Sequence, residues 1–276
     1  MLVFLNGKFV SEERAVVSVF DRSFTLSDGL FEAIPVYKGK LFLWEQHLAR
    51  LQTGAAFLKI DFPFSPEAMR VFANKLIVKN GRGDHVLRIQ LSRGIGPRGY
   101  SIKGATSPTV VMSLHPLQRI FPPAKMITSS CRIPANDPLA RFKACNKLTH
   151  VLARMEADDQ RADEALLLNT EGRIAEATSA NLFWIERRKV FTTPLASGAL
   201  PGVTRGLVLE LCAELKIATV EKNISPRRLK ESDGAFLTSI AVAVREISQI
   251  DLTRLPRSPL TERIAKAYWN YAKRAD

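Results

Sequence analysis

Apolar and polar positions alternate in two distinct periods along this chain. Period two marks "LVFLNGKFV" as strand, turn, strand, "HVLRIQLS" and "TVVMSLH" as strands, and "AIPVYKGKLFLW" as a hairpin turning at Lys38-Gly39. The helical period takes over in "WEQHLARLQTGAAFLKI" (44–60), where Leu48, Leu51, Ala55 and Leu58 share a face. "SPEAMRVFANKLIVKN" opens on Ser-Pro and a Glu, a helix start, and ends at Asn80-Gly81. Then "PLQRIFPPAK" (116–125) carries three prolines in ten residues and reads as a linker. Beyond it "KMITSSC" predicts a strand, residues 146–161 a helix, and "EALLLN", "NLFWIE" and "KVFTT" short strands. A helix over about 202–216, a strand "AFLTSIAVAV" and a closing helix "TERIAKAYWNYAKR" follow. The pattern predicts an α/β (α+β) protein of two domains: a small one at 1–115, the linker 116–125, and a larger one at 126–276.

Composition narrows the setting. The 276 residues are 46% hydrophobic, enough for two modest cores, and hold no run of eighteen apolar residues, so no membrane span is expected. "MLVFLNGKFVSEER" lacks the charge and apolar order of a signal peptide. Cys131, Cys145 and Cys212 are odd in number and have no metal-ligand spacing, which suits a reducing, cytoplasmic compartment and no bound metal. The net charge of +13 raises a nucleic-acid reading, but the basic residues are scattered and no recognition-helix or zinc-finger pattern appears. A solvated basic surface that draws small anionic substrates is the simpler reading, with no nucleic-acid partner.

Candidate chemistry is sparse. "RGIGPRGYS" (93–101) is formally G-x-G-x-x-G, yet Pro97 stands where a dinucleotide-binding helix would begin, so a loop presenting Arg98 and Tyr100 fits better. In "GALPGVTR" (198–205) a Pro-Gly turn runs into a helix at Thr204, which is either an anion cradle or a plain helix start. Glu176, in "GRIAEATSANLFW", is either a solvated turn residue or the partner of a cationic ring nitrogen. "LARFKACNKLTH" offers two lysines, Lys143 and Lys147. His47, His85, His115 and His150 form no triad or metal cluster by spacing, and His47 reads as a helix-surface or packing residue. A lysine, an acid, a helix-end anion cradle and an arginine are the parts that a pyridoxal-phosphate enzyme needs.

Those residues, in order, resemble the class IV aminotransferases, the fold-type IV pyridoxal-phosphate enzymes. Their signature runs from an acid through an Asn-aliphatic-aromatic triplet to a Thr and a Gly-aliphatic-x-basic end. Here it reads Glu176, Asn181-Leu182-Phe183, Thr193 and Gly202-Val203-Thr204-Arg205. The similarity begins at "DRSFTLSDGLFEA" (21–33) and extends through "EQHLARL" (45–51) to about residue 250. It implies a two-domain fold with pyridoxal 5'-phosphate at the domain interface, and a homodimer. It makes Lys143 the Schiff-base lysine and general base, with Lys147 a bystander. Glu176 becomes the ring-nitrogen acid and Arg50 the phosphate arginine. Val203 and Thr204 become helix-end phosphate contacts, and Ser239, Ile240 and Ala241 a further phosphate loop. Phe31, Ala33, Arg98 and Tyr100 fall at substrate positions, with Arg98 suited to a carboxylate. Within the class, "LSRGIGPRGYS", "LARFKACNKLTHVLAR" and "ADEALLLNTEGRIAEATSANLFW" look most like the aminodeoxychorismate lyases, which release 4-aminobenzoate and pyruvate. That subfamily commonly has Thr at the position of Ala33 and often Arg at that of Pro35. The alternative is a transaminase of D-amino or branched-chain amino acids.

Overall fold

The computed structural model describes residues 1–117 and 121–274; three positions of the expected linker, 118–120, lie outside that range. The chain forms two compact units. The first comprises Met1–Leu117 together with a short return, Phe142–Asn146; the second takes in residues 121–141 and 147–274. The return is a departure from the expected division, which assigns everything beyond residue 125 to the larger domain. No helix among the described residues is long and apolar enough to cross a membrane.

The first unit is built on strands β1 (Leu2–Leu5), β2 (Lys8–Ser11), β3 (Gly29–Tyr37), β4 (Lys40–Leu41), β5 (His85–Ser92) and β6 (Thr109–Pro116), with helices α1 (Arg22–Leu26), α2 (Trp44–Leu58) and α3 (Pro66–Asn80). The sheet order is β2-β1-β6-β5-β3-β4, antiparallel throughout. The β3–β4 hairpin turns at Lys38 (φ 49) and Gly39 (φ 82), the pair of positive values that a two-residue hairpin turn requires. Ser65 caps α3 by accepting from the Ala68 N–H, with Pro66 at the first helical position. Along β3 and β5, Leu30, Ile34, Leu87, Ile89 and Leu91 point into a core shared with Leu48, Leu51 and Ala55 of α2 and Leu76 and Ile77 of α3. Period two sends Phe31, Ala33, Arg88 and Gln90 to the opposite face.

The second unit holds β7 (Ala124–Ile133), α4 (Leu148–Asp159), β8 (Glu164–Asn169), β9 (Ile174–Ala177), β10 (Asn181–Glu186), β11 (Lys189–Thr192), α5 (Val203–Glu214), β12 (Thr219–Glu221), α6 (Pro226–Leu229), β13 (Ala235–Ser239), β14 (Ala243–Ile250), β15 (Thr253–Arg254) and α7 (Pro259–Arg274). Its mixed sheet runs β12-β11-β10-β13-β14-β7-β8-β9, with β15 beside β14. Both faces are covered, which is why β8 and β10 read as unbroken apolar runs. Leu182 and Trp184 face one core, while Phe183 and Ile185 face another with Val208 and Cys212 of α5 and Ile264 of α7. The single strand expected at "AFLTSIAVAV" is two: Ser239 pairs with Ala243 across a tight turn, and Ala243 has φ 53. The helix expected over 146–161 begins at Leu148, so Lys147 is its N-cap residue and not a member of its first turn.

One buried ion cluster lies in the core of the first unit. Glu32 is fully buried on β3, its Oε1 accepting from Arg50 Nε at 2.7 Å and its Oε2 from Arg50 Nη2 at 2.8 Å. His47 Nδ1 lies 2.8 Å from Oε2. Burial opposes the Glu32 charge, but the Arg50 guanidinium and the His47 hydrogen bond prevail and hold its carboxyl down to about 2. Burial pushes the His47 imidazolium below its ordinary range, which leaves the ring neutral near pH 7 with the Nδ1 proton on Glu32. Both groups have folded-state values below their unfolded ones. Their stabilisation is therefore complete above the ordinary histidine value of 6.5 and is lost as pH falls toward about 2. Glu32→Gln leaves the Arg50 charge buried without its anion and should cost about 3 kcal/mol in urea unfolding at pH 7. The loss should shrink steadily between pH 4.5 and about 2 as wild-type Glu32 protonates. A pH-independent difference between the two proteins would contradict this assignment.

Candidate active site

Lys143 lies in the five-residue return. Phe31 N–H donates to Lys143 O at 2.9 Å, Cys145 N–H donates to Gly29 O at 3.0 Å, and Leu30 and Ala144 form an antiparallel bridge. The return thus behaves as a short strand beside the start of β3. Its burial alternates accordingly, with Phe142 and Ala144 in the core, where Phe57 packs 4.7 Å from Phe142. Lys143 and Cys145 take the other face. Lys143 Nζ stands 4.6 Å from the centre of the Phe31 ring, and the Arg88 guanidinium carbon stands 4.3 Å from the same ring. Arg88 donates to Gln90 Oε1 at 3.0 Å, and Gln90 Nε2 donates to Cys145 Sγ at 3.0 Å. Burial lowers the Arg88 value from its ordinary range, with the Cys145 thiol acting in the opposite sense, and the group stays charged. Among the described residues no carboxylate pairs with Arg88. Arg88 and Lys143 thus flank the same Phe31 ring. Ala33 is the cross-strand partner of Arg88.

Arg88 and the Glu32–His47–Arg50 cluster are absent from the sequence reading. The signal for Arg88 was a lone arginine at the centre of an otherwise alternating strand. His47 does pack in the helix interface, but as part of a charged cluster. Arg98 and Tyr100 stand exposed on the β5–β6 loop, Tyr100 at 89%.

The second unit presents an acid and an anion cradle. Glu176, on β9, is 7% exposed. Its Oε2 accepts from the Leu200 N–H at 2.9 Å and from Asn181 Nδ2 at 3.2 Å, while Asn181 Nδ2 also donates to Leu200 O at 2.8 Å. His150 Nε2 lies 3.5 Å from Oε1. Glu176 is therefore a positioned, buried acid and not a solvated turn residue. Gly202 sets the approach: a Cβ there would come 2.1 Å from Asn181 Oδ1, so no larger residue leaves the Asn181 amide in place. Gly202 is also the N-cap of α5 and offers no side-chain cap, which leaves the N–H groups of Val203 and Thr204 for an anion. At the β13 end, the Ser239 and Thr238 hydroxyls are buried without a partner, and Ile240 and Ala241 form the turn that follows.

Each unit, taken by itself, offers groups of the kinds that pyridoxal 5'-phosphate takes. The first unit offers an amine on Lys143 and arginines at 50 and 88. The second offers a held carboxylate on Glu176, a helix start free of side-chain capping, and orphaned hydroxyls beside a turn.

The amino-transferase class IV family model matches residues 29–250. D-alanine aminotransferase of Bacillus licheniformis is 30% identical over 276 residues, 98% of this chain and 96% of that protein. Aminodeoxychorismate lyase of Bacillus subtilis is 26% identical over 254 residues, 91% of this chain and 87% of that protein. The branched-chain aminotransferase of Thermoproteus uzoniensis, solved with norvaline, superposes with a TM-score of 0.94 at 28% identity, covering 100% of this chain and 96% of that one. Another enzyme of that name, at a TM-score of 0.91, was solved with pyridoxamine 5'-phosphate.

Proposed function

This chain belongs to the amino-transferase class IV family, and we propose that within it the chain transfers an amino group from a carboxylate-bearing amino acid to a 2-oxo acid. It is a pyridoxal-phosphate-dependent enzyme of the fold-type IV architecture. When bound, the cofactor supplies an electron sink for charge developing at the substrate Cα.

The chain's own residues supply the rest. Lys143 Nζ, held by the strand-like return, takes the Cα proton as general base. Glu176, fixed by the Leu200 N–H and the Asn181 amide, holds a proton at the ring nitrogen. Arg50, Val203, Thr204 and the turn at Ser239, Ile240 and Ala241 hold the phosphate. Arg88 takes a substrate carboxylate in a forked pair, with Phe31 as the apolar wall beside it and Arg98 and Tyr100 as outer selectors.

The observation that favours transfer over elimination is the pair Ala33 and Arg88. The position where a lyase commonly has a threonine holds a methyl group directly across from the carboxylate-binding arginine. That departure from the lyase pattern, at the position paired with Arg88, is what favours transfer. The second reading, release of pyruvate and 4-aminobenzoate from aminodeoxychorismate, is supported by the lyase relative and by the lyase-like stretches around Lys143 and Glu176.

A second copy of this chain is the partner we propose. Helix α4 exposes Leu148, Val151, Leu152 and Met155 at 71%, 50%, 47% and 55%, a stripe at helical spacing that water alone covers poorly.

Two outcomes are expected. L-Glutamate, L-leucine or D-alanine, given singly to stoichiometric holoenzyme, should yield one equivalent of 2-oxo acid, and the enzyme should then aminate a second oxo acid. Exclusive formation of 4-aminobenzoate and pyruvate from aminodeoxychorismate, with no such half-reaction, would establish the second reading instead. Arg88→Lys should raise KM for the preferred carboxylate substrate about 100-fold with a smaller effect on kcat. Leu152→Glu with Met155→Glu should convert a dimer to monomers in sedimentation; an unchanged sedimentation coefficient would remove α4 from the interface.

A further inference from the structure

Strands β5 and β6 pair along their whole length, yet their connection, residues 93–108, has no regular helix or strand. A sixteen-residue hairpin loop carries a closure cost and needs internal anchoring to hold one shape. The anchor is a chain of charges, two buried arginines on one partly buried aspartate. Arg93, at the root of the loop, donates Nε to Asp28 Oδ2 at 2.7 Å and Nη2 to Asp28 Oδ1 at 2.9 Å. It also donates to the Lys59 and Leu58 carbonyls at 2.9 and 2.8 Å, which ties the loop root to the end of α2. Asp28 Oδ2 is shared with Arg22 Nε at 2.8 Å.

Arg22 then reaches the loop tip. Its Nη1 donates to Gly99 O at 3.0 Å and Ser101 O at 3.2 Å, and its Nη2 lies 3.4 Å from Tyr100 O. Its backbone N–H donates to Gly94 O at 2.9 Å. The glycines make room for this grip. At Gly96 a Cβ would meet Arg22 Cδ at 2.8 Å and Ala105 Cβ at 2.9 Å; at Gly94 (φ +84) it would meet Ser107 O at 1.9 Å. Arg22 is 3% exposed and Arg93 5%, so neither is an ordinary surface charge. The Arg22 guanidinium spends its remaining donors on the three consecutive carbonyls of Gly99, Tyr100 and Ser101, groups that would otherwise face only water.

We propose that Arg22, held by Asp28 and Arg93, is a positioning residue that clamps the tip of the β5–β6 loop and so sets the placement of Arg98 and Tyr100 toward substrate. The proposal deepens the function put forward above and rests on it for the role of Arg98 and Tyr100. The clamp itself stands on geometry within the first unit. The charge on Asp28 is secured by its two arginines: burial opposes it, but the hydrogen bonds from Arg93 and Arg22 bring its carboxyl below the ordinary carboxylate range.

The test uses full-length Arg22→Gln and, as a second variant, Gly96→Ala, which wedges the loop away from the clamp while the Arg22–Asp28 pair remains. The first readout is limited trypsin digestion of the cofactor-free protein, followed by mass spectrometry for cleavage after Arg98 and Lys103. The second is steady-state kinetics of the holoenzyme with its preferred amino donor. Both variants should be cut in the loop about tenfold faster than wild type, because opening is no longer opposed by the forked bonds. KM should rise about tenfold while kcat stays within about threefold. Wild-type cleavage rates in a folded Arg22→Gln and in Gly96→Ala would overturn the clamp. Faster cleavage with unchanged KM would overturn the loop's part in substrate placement. Absence of amino transfer in the wild-type protein would refute the proposed function without touching the proteolysis result, so the two failures are told apart.

Discussion

Two backbone hydrogen bonds decide where the Lys143 side chain can sit. The Phe31 N–H to Lys143 O and Cys145 N–H to Gly29 O pairs turn residues 142–146 into a strand-like strip on the first unit, although the chain on both sides belongs to the second. Once that strip is paired, period two leaves no freedom. Phe142 and Ala144 enter the core, and Lys143 must emerge beside Phe31 and Arg88. A slip of one residue would bury the amine and expose two apolar side chains. The register of a five-residue segment therefore fixes the position of the Lys143 amine.

Behind this face the first unit carries charge where a small sheet would ordinarily carry only aliphatic groups. Glu32 sits among Leu30, Ile34 and Leu48 and is tolerated there because Arg50 takes both of its oxygens and His47 one. The arrangement holds the Arg50 guanidinium in one orientation. The second unit uses neutral means for the same end. Glu176 is held by one backbone N–H and one amide, and Thr193 donates to Ala175 O at 2.6 Å, bracing the strand just before the acid. In both units the candidate side chains are oriented by buried neighbours.

Much of this was legible in the sequence, and the rest was hidden for identifiable reasons. Helix α2 announces itself by period, α3 by its Ser-Pro cap and α5 by the Pro-Gly turn before it, and the strands of the two-faced sheet by short apolar runs. The "AFLTSIAVAV" run concealed a hairpin because alanine and valine at its turn give no turn signal, and Ala243 adopts a positive φ that sequence does not mark. The linker prolines drew a boundary after which everything was assigned to the larger domain. The return at 142–146 was missed because crossing back is a long-range event with no local signature. Even so, "RFKAC" carries the alternation that makes it a strand, and Lys147 lies beyond that alternation at a helix N-cap. Glu176 and the Gly202 helix start were found as motifs, but their buried partners, Asn181 and Leu200, become visible only when β9, β10 and the 198–202 turn are brought together. Arg88 and the Arg22–Asp28–Arg93 chain depend on tertiary neighbours far apart in sequence, and no period reveals them.

The central claim is that the strand-like return, and nothing else in "LARFKACNKLTH", presents the reactive amine. It is tested most directly by reducing the pyridoxal-phosphate-loaded protein with borohydride and mapping the added cofactor mass by peptide sequencing. The account predicts that the label resides on Lys143 and is absent from Lys147. Label on Lys147, or a Lys143→Ala protein that still retains reducible cofactor, would contradict it.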